Sequence, residues 1–191
     1  MIGSPTIVGG RTFVAGCDSS LHVIDTTKGT EVTAVPLDGQ TAATAAVDGD
    51  RLYLGTMTNQ VLAIDWKKGE VAWKFEPARG GQPFYASVAL TDDRVIVGSR
   101  DKRVYALNRK TGAEVWRFQT KGKVESSAVV AGKRVYVGSL DGNLYVLDSV
   151  NGTEQARFAL GKGITASPAV GGDCLIVGTV DGVVYCLGAK K

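Results

Sequence analysis

Histidine is almost missing from this sequence, His22 being the only one. Acid–base chemistry built on a histidine pair is therefore excluded. Cysteine is nearly as scarce. Cys17, Cys174 and Cys186 are odd in number and show no CxxC spacing, which is neither a disulfide framework nor a zinc site. Cys174 and Cys186 fall on neighbouring strands of one hairpin. Counting out from a two-residue turn at Asp181-Gly182 puts Val177, not Cys174, opposite Cys186, so the two read as small buried apolar residues. No run of apolar residues approaches the roughly 20 of a membrane-spanning helix. No charged-then-apolar leader precedes the strand-like sequence, which begins by Ser4, so the compartment is not encoded in these residues. The net charge of +3 is mild. It argues against a protein whose main task is to neutralise nucleic-acid phosphates. Neither GxSxG, nor HExxH, nor a phosphate-binding loop occurs.

What is present is glycine, in repeats. Proline occurs five times against 25 glycines, a balance that suits many tight turns. The glycines that end apolar runs, Gly16, Gly55, Gly98, Gly138 and Gly178, lie 39, 43, 40 and 40 residues apart. The unit is clearest at Arg134 to Gly152, RVYVGSLDGNLYVLDSVNG. Two apolar runs flank Asp141-Gly142, which reads as a two-residue hairpin turn with both central residues at positive φ. Arg94 to Gly112, Arg51 to Gly69 and Arg11 to Gly29 repeat it, and Cys174 to Leu187 repeats it in part. β-branched and aromatic residues fill the runs and no helical period appears. A period near 40 with several short strands per unit predicts an all-β fold of propeller blades. Each unit holds four candidate strands. In the fourth they are Glu125 to Ala131, Arg134 to Ser139, Asn143 to Asp148 and Gln155 to Leu160. The second and third are apolar on nearly every residue, so both faces should be covered by neighbouring blades. The fourth strands carry more charge, as an outer edge does.

The expected organisation is one domain over residues 1–191, with repeats at about 3–40, 41–83, 84–123, 124–163 and 164–191. That gives four full four-stranded blades and a three-stranded fifth, in an incomplete ring. Ser4-Pro5-Thr6-Ile7-Val8 already matches Ser167-Pro168-Ala169-Val170, so a native chain is expected to continue upstream. The first and last blades should each present an apolar face, built from residues such as Phe13, Val14, Leu175 and Val177. Such faces predict self-association through open blade edges, or a piece of a longer chain.

A second pattern marks the junction of the third and fourth strands. Ala63, Asp65, Gly69 and Trp73 recur at the same spacing as Ala106, Asn108, Gly112 and Trp116. The Asp or Asn side chain can close the turn on backbone N–H groups, and the tryptophan can pack flat on the adjacent blade. Thr33 and Ala156 stand at the tryptophan position in the first and fourth units. The whole chain resembles the tryptophan-docking repeat of the PQQ-like β-propellers. That family holds the quinoprotein alcohol dehydrogenases and the BamB-like outer-membrane assembly lipoproteins. The resemblance implies a ring of seven or eight blades, a periplasmic or cell-envelope location, and either protein binding or quinone chemistry. Quinoproteins of this kind carry an adjacent cysteine pair and calcium-binding carboxylate and amide residues. No Cys-Cys pair occurs here, so pyrroloquinoline quinone (PQQ) is not expected. The function expected is a non-catalytic, BamB-like scaffold that binds a protein or peptide. The alternatives are a PQQ-dependent dehydrogenase or its remnant, and a sensor domain of a larger protein.

One constellation is left after the turns are explained. The links between units, Pro36–Ala43, Glu76–Tyr85, Lys121–Glu125 and Gly161–Ile164, share one end of the molecule with the turns between second and third strands. Variable links concentrated at one end mark a functional face. There lie Arg79, Gln82, Phe84, Tyr85, Arg100, Lys102, Arg103, Lys121, Lys123 and Lys162. Arginine with aromatic residues is an interface composition, suited to an acidic peptide, protein or small anion. His22 falls in the column of Tyr105, Tyr145 and Tyr185 and reads as a structural aromatic slot. Asp141-Gly142-Asn143 reads as a turn, since the further ligands of a calcium loop are missing.

Overall fold

Short apolar runs cut by glycine turns can bury themselves only by pairing edge to edge and stacking face to face. A computed structural model describes residues 3–78 and 81–188 of the chain, and among them every regular element is a strand. Blade one holds β1 (Thr6–Val8), β2 (Arg11–Ala15), β3 (Ser20–Asp25) and β4 (Glu31–Pro36). Blade two holds β5 (Ala46–Asp48), β6 (Arg51–Gly55), β7 (Val61–Asp65) and β8 (Glu70–Phe75). Blade three holds β9 (Ala89–Leu90), β10 (Arg94–Ser99), β11 (Arg103–Asn108) and β12 (Glu114–Gln119). Blade four holds β13 (Val129–Ala131), β14 (Arg134–Gly138), β15 (Asn143–Asp148) and β16 (Glu154–Ala159), and blade five β17 (Ala169–Gly171), β18 (Cys174–Gly178) and β19 (Val184–Gly188). Each blade is an antiparallel meander in chain order, and no sheet among the described residues joins the first blade to the last. No described helix is long and apolar enough to cross a membrane.

The turn between the second and third strands is not the two-residue type that its Asp-Gly suggests. Gly142 alone has a left-handed backbone there, at φ 84°, while Asp141 does not. The loop spans Ser139 to Gly142, with Gly138 paired to Leu144. Asp141 stays right-handed because its carboxylate accepts the Asn143 N–H at 3.0 Å, and the Gly142 N–H donates to the Ser139 carbonyl at 3.1 Å. The same turn recurs in blade five, where Gly182 has φ 86° and its N–H donates to the Thr179 carbonyl at 3.0 Å. The register there is one residue off that of a two-residue turn, so Ile176, not Val177, stands opposite Cys186, and a shift of one residue moves side chains to the other face. Cys186 is accordingly exposed and Cys174 half-buried, rather than both buried as their small size suggests. Ser19, Asn59 and Lys102 take the left-handed position in the first three blades, at φ 57°, 69° and 70°.

Consecutive blades pack through four apolar clusters, one at each interface. Trp116 is 7% exposed, and its indole N–H donates to the Ser149 carbonyl of the next blade at 3.2 Å. Trp73 does the same to Arg109 at 3.0 Å, half-buried. Each ring lies on the glycine of the next blade's turn. A Cβ at Gly112 would sit 2.6 Å from Trp73, and one at Gly152 would sit 2.5 Å from Trp116. The strand-ending glycines have a similar reason. A Cβ at Gly55, Gly98 or Gly138 would meet Phe84, Val124 or Ile164 at 2.5, 2.3 and 2.2 Å. These three fully buried link residues plug the inner ends of the last three interfaces. In blade one, Thr33 replaces the docking tryptophan, and Trp66 of blade two fills the interface from the other side. Its ring meets Phe13 edge-on at 5.4 Å between centroids. Around the inner strands, backbone N–H groups of Ser4, Thr44 and Ser87 donate to the hydroxyls of Thr44, Ser87 and Ser127 at 3.0, 2.9 and 2.9 Å.

Of the residues expected on the open faces of the end blades, Val14 alone is there. Phe13, Leu175 and Val177 are buried, at 2%, 7% and 1% exposure. Strand alternation turns each of them toward the neighbouring blade. The opposite faces carry Ile7, half-buried Val14 and Ile24 on blade one, and Ile176 and Val184 on blade five.

Candidate partner-binding face

The link-bearing end is held together by backbone bonds between each turn and the link beside it. The N–H and hydroxyl of Thr120 both donate to the Lys102 carbonyl, at 2.9 and 2.8 Å. The N–H groups of Lys121 and Gly122 donate to one oxygen of Asp141, at 2.9 and 3.1 Å. The Leu140 N–H donates to the Lys123 carbonyl at 2.9 Å, and the Leu160 N–H to the Gly142 carbonyl at 2.8 Å. Lys102, Lys121, Lys123 and Lys162 are thus carried on a stiff lattice, with all four side chains exposed.

The acidic groups nearby are spent internally. Asp101, whose side chain is 3% exposed, accepts from the Tyr105 hydroxyl and lies 3.3 Å from Arg103. Asp141 accepts from the Tyr145 hydroxyl at 2.8 Å and from Asn143. Burial alone would raise the Asp141 carboxyl, but donors from Asn143, Tyr145 and the backbone outweigh it and hold it below the usual range. Burial, then the bond to the neighbouring aspartate, pushes Tyr105 and Tyr145 up to about 12, so both phenols stay protonated donors. The Arg100 guanidinium lies 4.2 Å from the Tyr85 ring centroid and bonds Glu125 at 2.6 Å. Arg103 bonds the Gln119 side chain at 3.0 Å. Among the described residues, Lys102, Lys121, Lys123 and Lys162 take part in no ion pair.

The sequence-derived set therefore divides. The four lysines and Gln82 are exposed, whereas Arg100, Arg103 and Tyr85 are half-buried. Phe84 is fully buried against Gly55 and supports the long link instead of offering surface. Arg79 lies outside the described residues. What sequence reading missed is Asp141, whose carboxylate ties the link to the turn. Its place in a hairpin turn concealed a second role. A shallow cleft of about 540 Å³ runs beside this end between Pro77, Ala78, Arg103, Tyr105, Arg117 and Gln119. Among the described residues no three His, Cys, Asp or Glu side chains converge as metal ligands. His22 does occupy the tyrosine column, half-exposed, with Nε2 2.7 Å from Asp18 and Nδ1 2.6 Å from Glu31.

Comparison with known proteins follows the fold. The model of the family described as "Outer membrane protein assembly factor BamB" matches residues 2–84 and 79–155. The crystal structure of BamB from Moraxella catarrhalis superposes with a TM-score of 0.83 at 22% identity, covering 98% of this chain and 61% of that one. The computationally designed Ika8 protein superposes equally well, at a TM-score of 0.83 and 17% identity, over 97% of this chain and 57% of that one. This chain thus spans about 60% of the length of these two proteins. No curated protein matches the sequence.

Proposed function

We propose that this chain, which belongs to the family of outer membrane protein assembly factor BamB, is a non-catalytic scaffold of the cell envelope that holds a protein or peptide partner on its link-bearing face. The observation that carries this reading is the group of four exposed lysines, Lys102, Lys121, Lys123 and Lys162, which form no ion pair among the described residues and sit on a hydrogen-bonded lattice. A single exposed lysine contributes little to affinity. Several fixed on one face set up a field that selects and steers an acidic partner. Because the turns and links are tied to each other, the face loses little freedom on binding. Arg100, stacked on Tyr85 and paired with Glu125, lines the same surface without adding a free cation. The chain has no adjacent cysteine pair of the quinoprotein kind, so the reading assigns no cofactor.

The test replaces Lys102, Lys121, Lys123 and Lys162 together with glutamate and compares capture of partners from an envelope extract. An acidic protein retained by the wild type should be lost from the variant, and lost from the wild type at raised salt. The variant's circular dichroism and melting should be unchanged. Equal retention by a folded variant would overturn the assignment of this face. A quinone absorbance change on adding PQQ and calcium would overturn the non-catalytic reading.

A further inference from the structure

The fifth blade lacks the arginine that heads the other hairpins. In blades one to four the second strand begins with an arginine, and Arg11, Arg51, Arg94 and Arg134 stand opposite Asp25, Asp65, Asn108 and Asp148. The first two of these pairs close as ion pairs, at 2.8 and 3.8 Å. In blade five Cys174 takes the arginine's place and Gly188 the acidic residue's. Cys186 lies two residues before Gly188, opposite Ile176. The period of two puts the side chains of Cys174 and Cys186 on one face of the hairpin, as diagonal neighbours. That face is the one turned away from blade four, because Leu175 and Val177 on the other side are packed into the interface. With no side chain at Gly188 nothing stands between the two thiols, and their sulfurs approach to 2.7 Å. That is nearer to the roughly 2.0 Å of a disulfide than to ordinary contact. Cys186 is exposed and Cys174 half-buried, so an oxidant can reach them, unlike the inert thiols of a packed core.

We propose that Cys174 and Cys186 form a cross-strand disulfide site, oxidised by an external disulfide, which clasps the fifth blade covalently at the place where blades one and two use an arginine and an aspartate. The thiolate of one cysteine attacks a sulfur of the external disulfide, forms a mixed disulfide and expels one external thiolate. The thiolate of the other attacks the protein sulfur of that mixed bond and expels the second. The two cysteines lose two electrons and two protons, and the external disulfide becomes two thiols. The bond pins β19, the edge strand of this blade, to β18. An oxidising compartment favours it, which agrees with the envelope location proposed above. The lysine face is untouched by it, so either proposal can fail alone.

The experiment incubates the wild-type chain with oxidised glutathione, then denatures it, alkylates free thiols and reads the intact mass. One alkylation, at Cys17, is expected on oxidised protein and three after reduction, with a peptide map showing the Cys174–Cys186 link. Oxidised wild type should melt above reduced wild type, and that difference should vanish in Cys174→Ser and in Cys186→Ser. Three alkylated thiols after oxidation would overturn the proposal. So would a stable glutathione adduct in place of the internal bond, or a link that includes Cys17.

Discussion

The interface between blades three and four and the one between blades four and five have the same backbone plan and different contents. At the first, Trp116 lies on Gly152, and Phe118 meets Tyr145 at 5.3 Å between centroids. The Tyr145 hydroxyl is tied to Asp141. At the second, Ala156 stands where the tryptophan would be. A cleft of about 660 Å³ opens between Ala156, Phe158, Leu175 and Leu187. Phe158 is left 39% exposed, and Tyr185 bonds the Leu160 carbonyl at 3.4 Å. Ile164 is nevertheless fully buried at this second interface, as Val124 is at the first. The inner plug is thus common to both interfaces, whereas the outer tryptophan is present at only one. Blade one makes the same point differently, since Trp66 restores from blade two what Thr33 cannot supply.

The largest test of that difference is Trp116→Ala. Losing a buried large aromatic and leaving its cavity should cost about 3–5 kcal/mol, read as a fall in denaturant midpoint. An unchanged midpoint would show that the two interfaces are energetically alike and the tryptophan ornamental. Next comes the plug. Gly138→Ala drives a Cβ into Ile164 at 2.2 Å, and overpacking of this kind costs about 1–3 kcal/mol. The matching change at Gly178, where the nearest atom is Ala166 Cβ at 3.7 Å, should stay within about 0.5 kcal/mol. If both glycines respond equally, the close approach is not what sets them apart. Smaller still is Lys102→Gly. Relief of a left-handed side chain, less the backbone entropy that glycine loses, should stabilise by roughly 0.5 kcal/mol. The equivalent position in blade four is already glycine.

The smallest effect concerns the aromatic column. Bonds to Glu31, then Asp18, raise the His22 pKa. The charged ring therefore contributes its stability in full below the ordinary histidine value near 6.5, and this is lost as pH rises through the raised folded value. Replacing His22 with Phe should remove that alkaline slope from a melting-versus-pH curve. The Asp141–Tyr145 pair in blade four should behave oppositely at the acidic end. The lowered Asp141 pKa makes its stability present above the ordinary aspartate value and lost as pH falls through the folded one. A His22→Phe curve with the wild-type slope would mean that the two carboxylates do not stabilise its charge.

The repeat was legible because glycine and tryptophan recur for steric reasons that apply within each unit. Gly138 must leave room for Ile164, and Gly152 must accept the Trp116 ring, so their spacing alone marks the blades. The candidate face was legible only as a crowd of cations at one end. Which of them are free was decided by contacts between residues far apart in sequence. Arg100 is taken by Glu125 and Tyr85, Arg103 by Asp101 and Gln119, and Phe84 by Gly55.

Local chemistry therefore determined the strands, the blade count and the docking tryptophans, since each follows from apolar runs, turn residues and their recurrence along the chain. Tertiary structure decided the register and the faces. Asp141 carries the same Asp-Gly signal that marks a two-residue turn. In the folded chain the loop is longer, with Gly142 alone left-handed, and the same pairing recurs in blade five around Asp181-Gly182. The one-residue shift there puts Cys174 and Cys186 on one open face instead of in the expected core, because in a strand of period two any odd shift exchanges inside for outside.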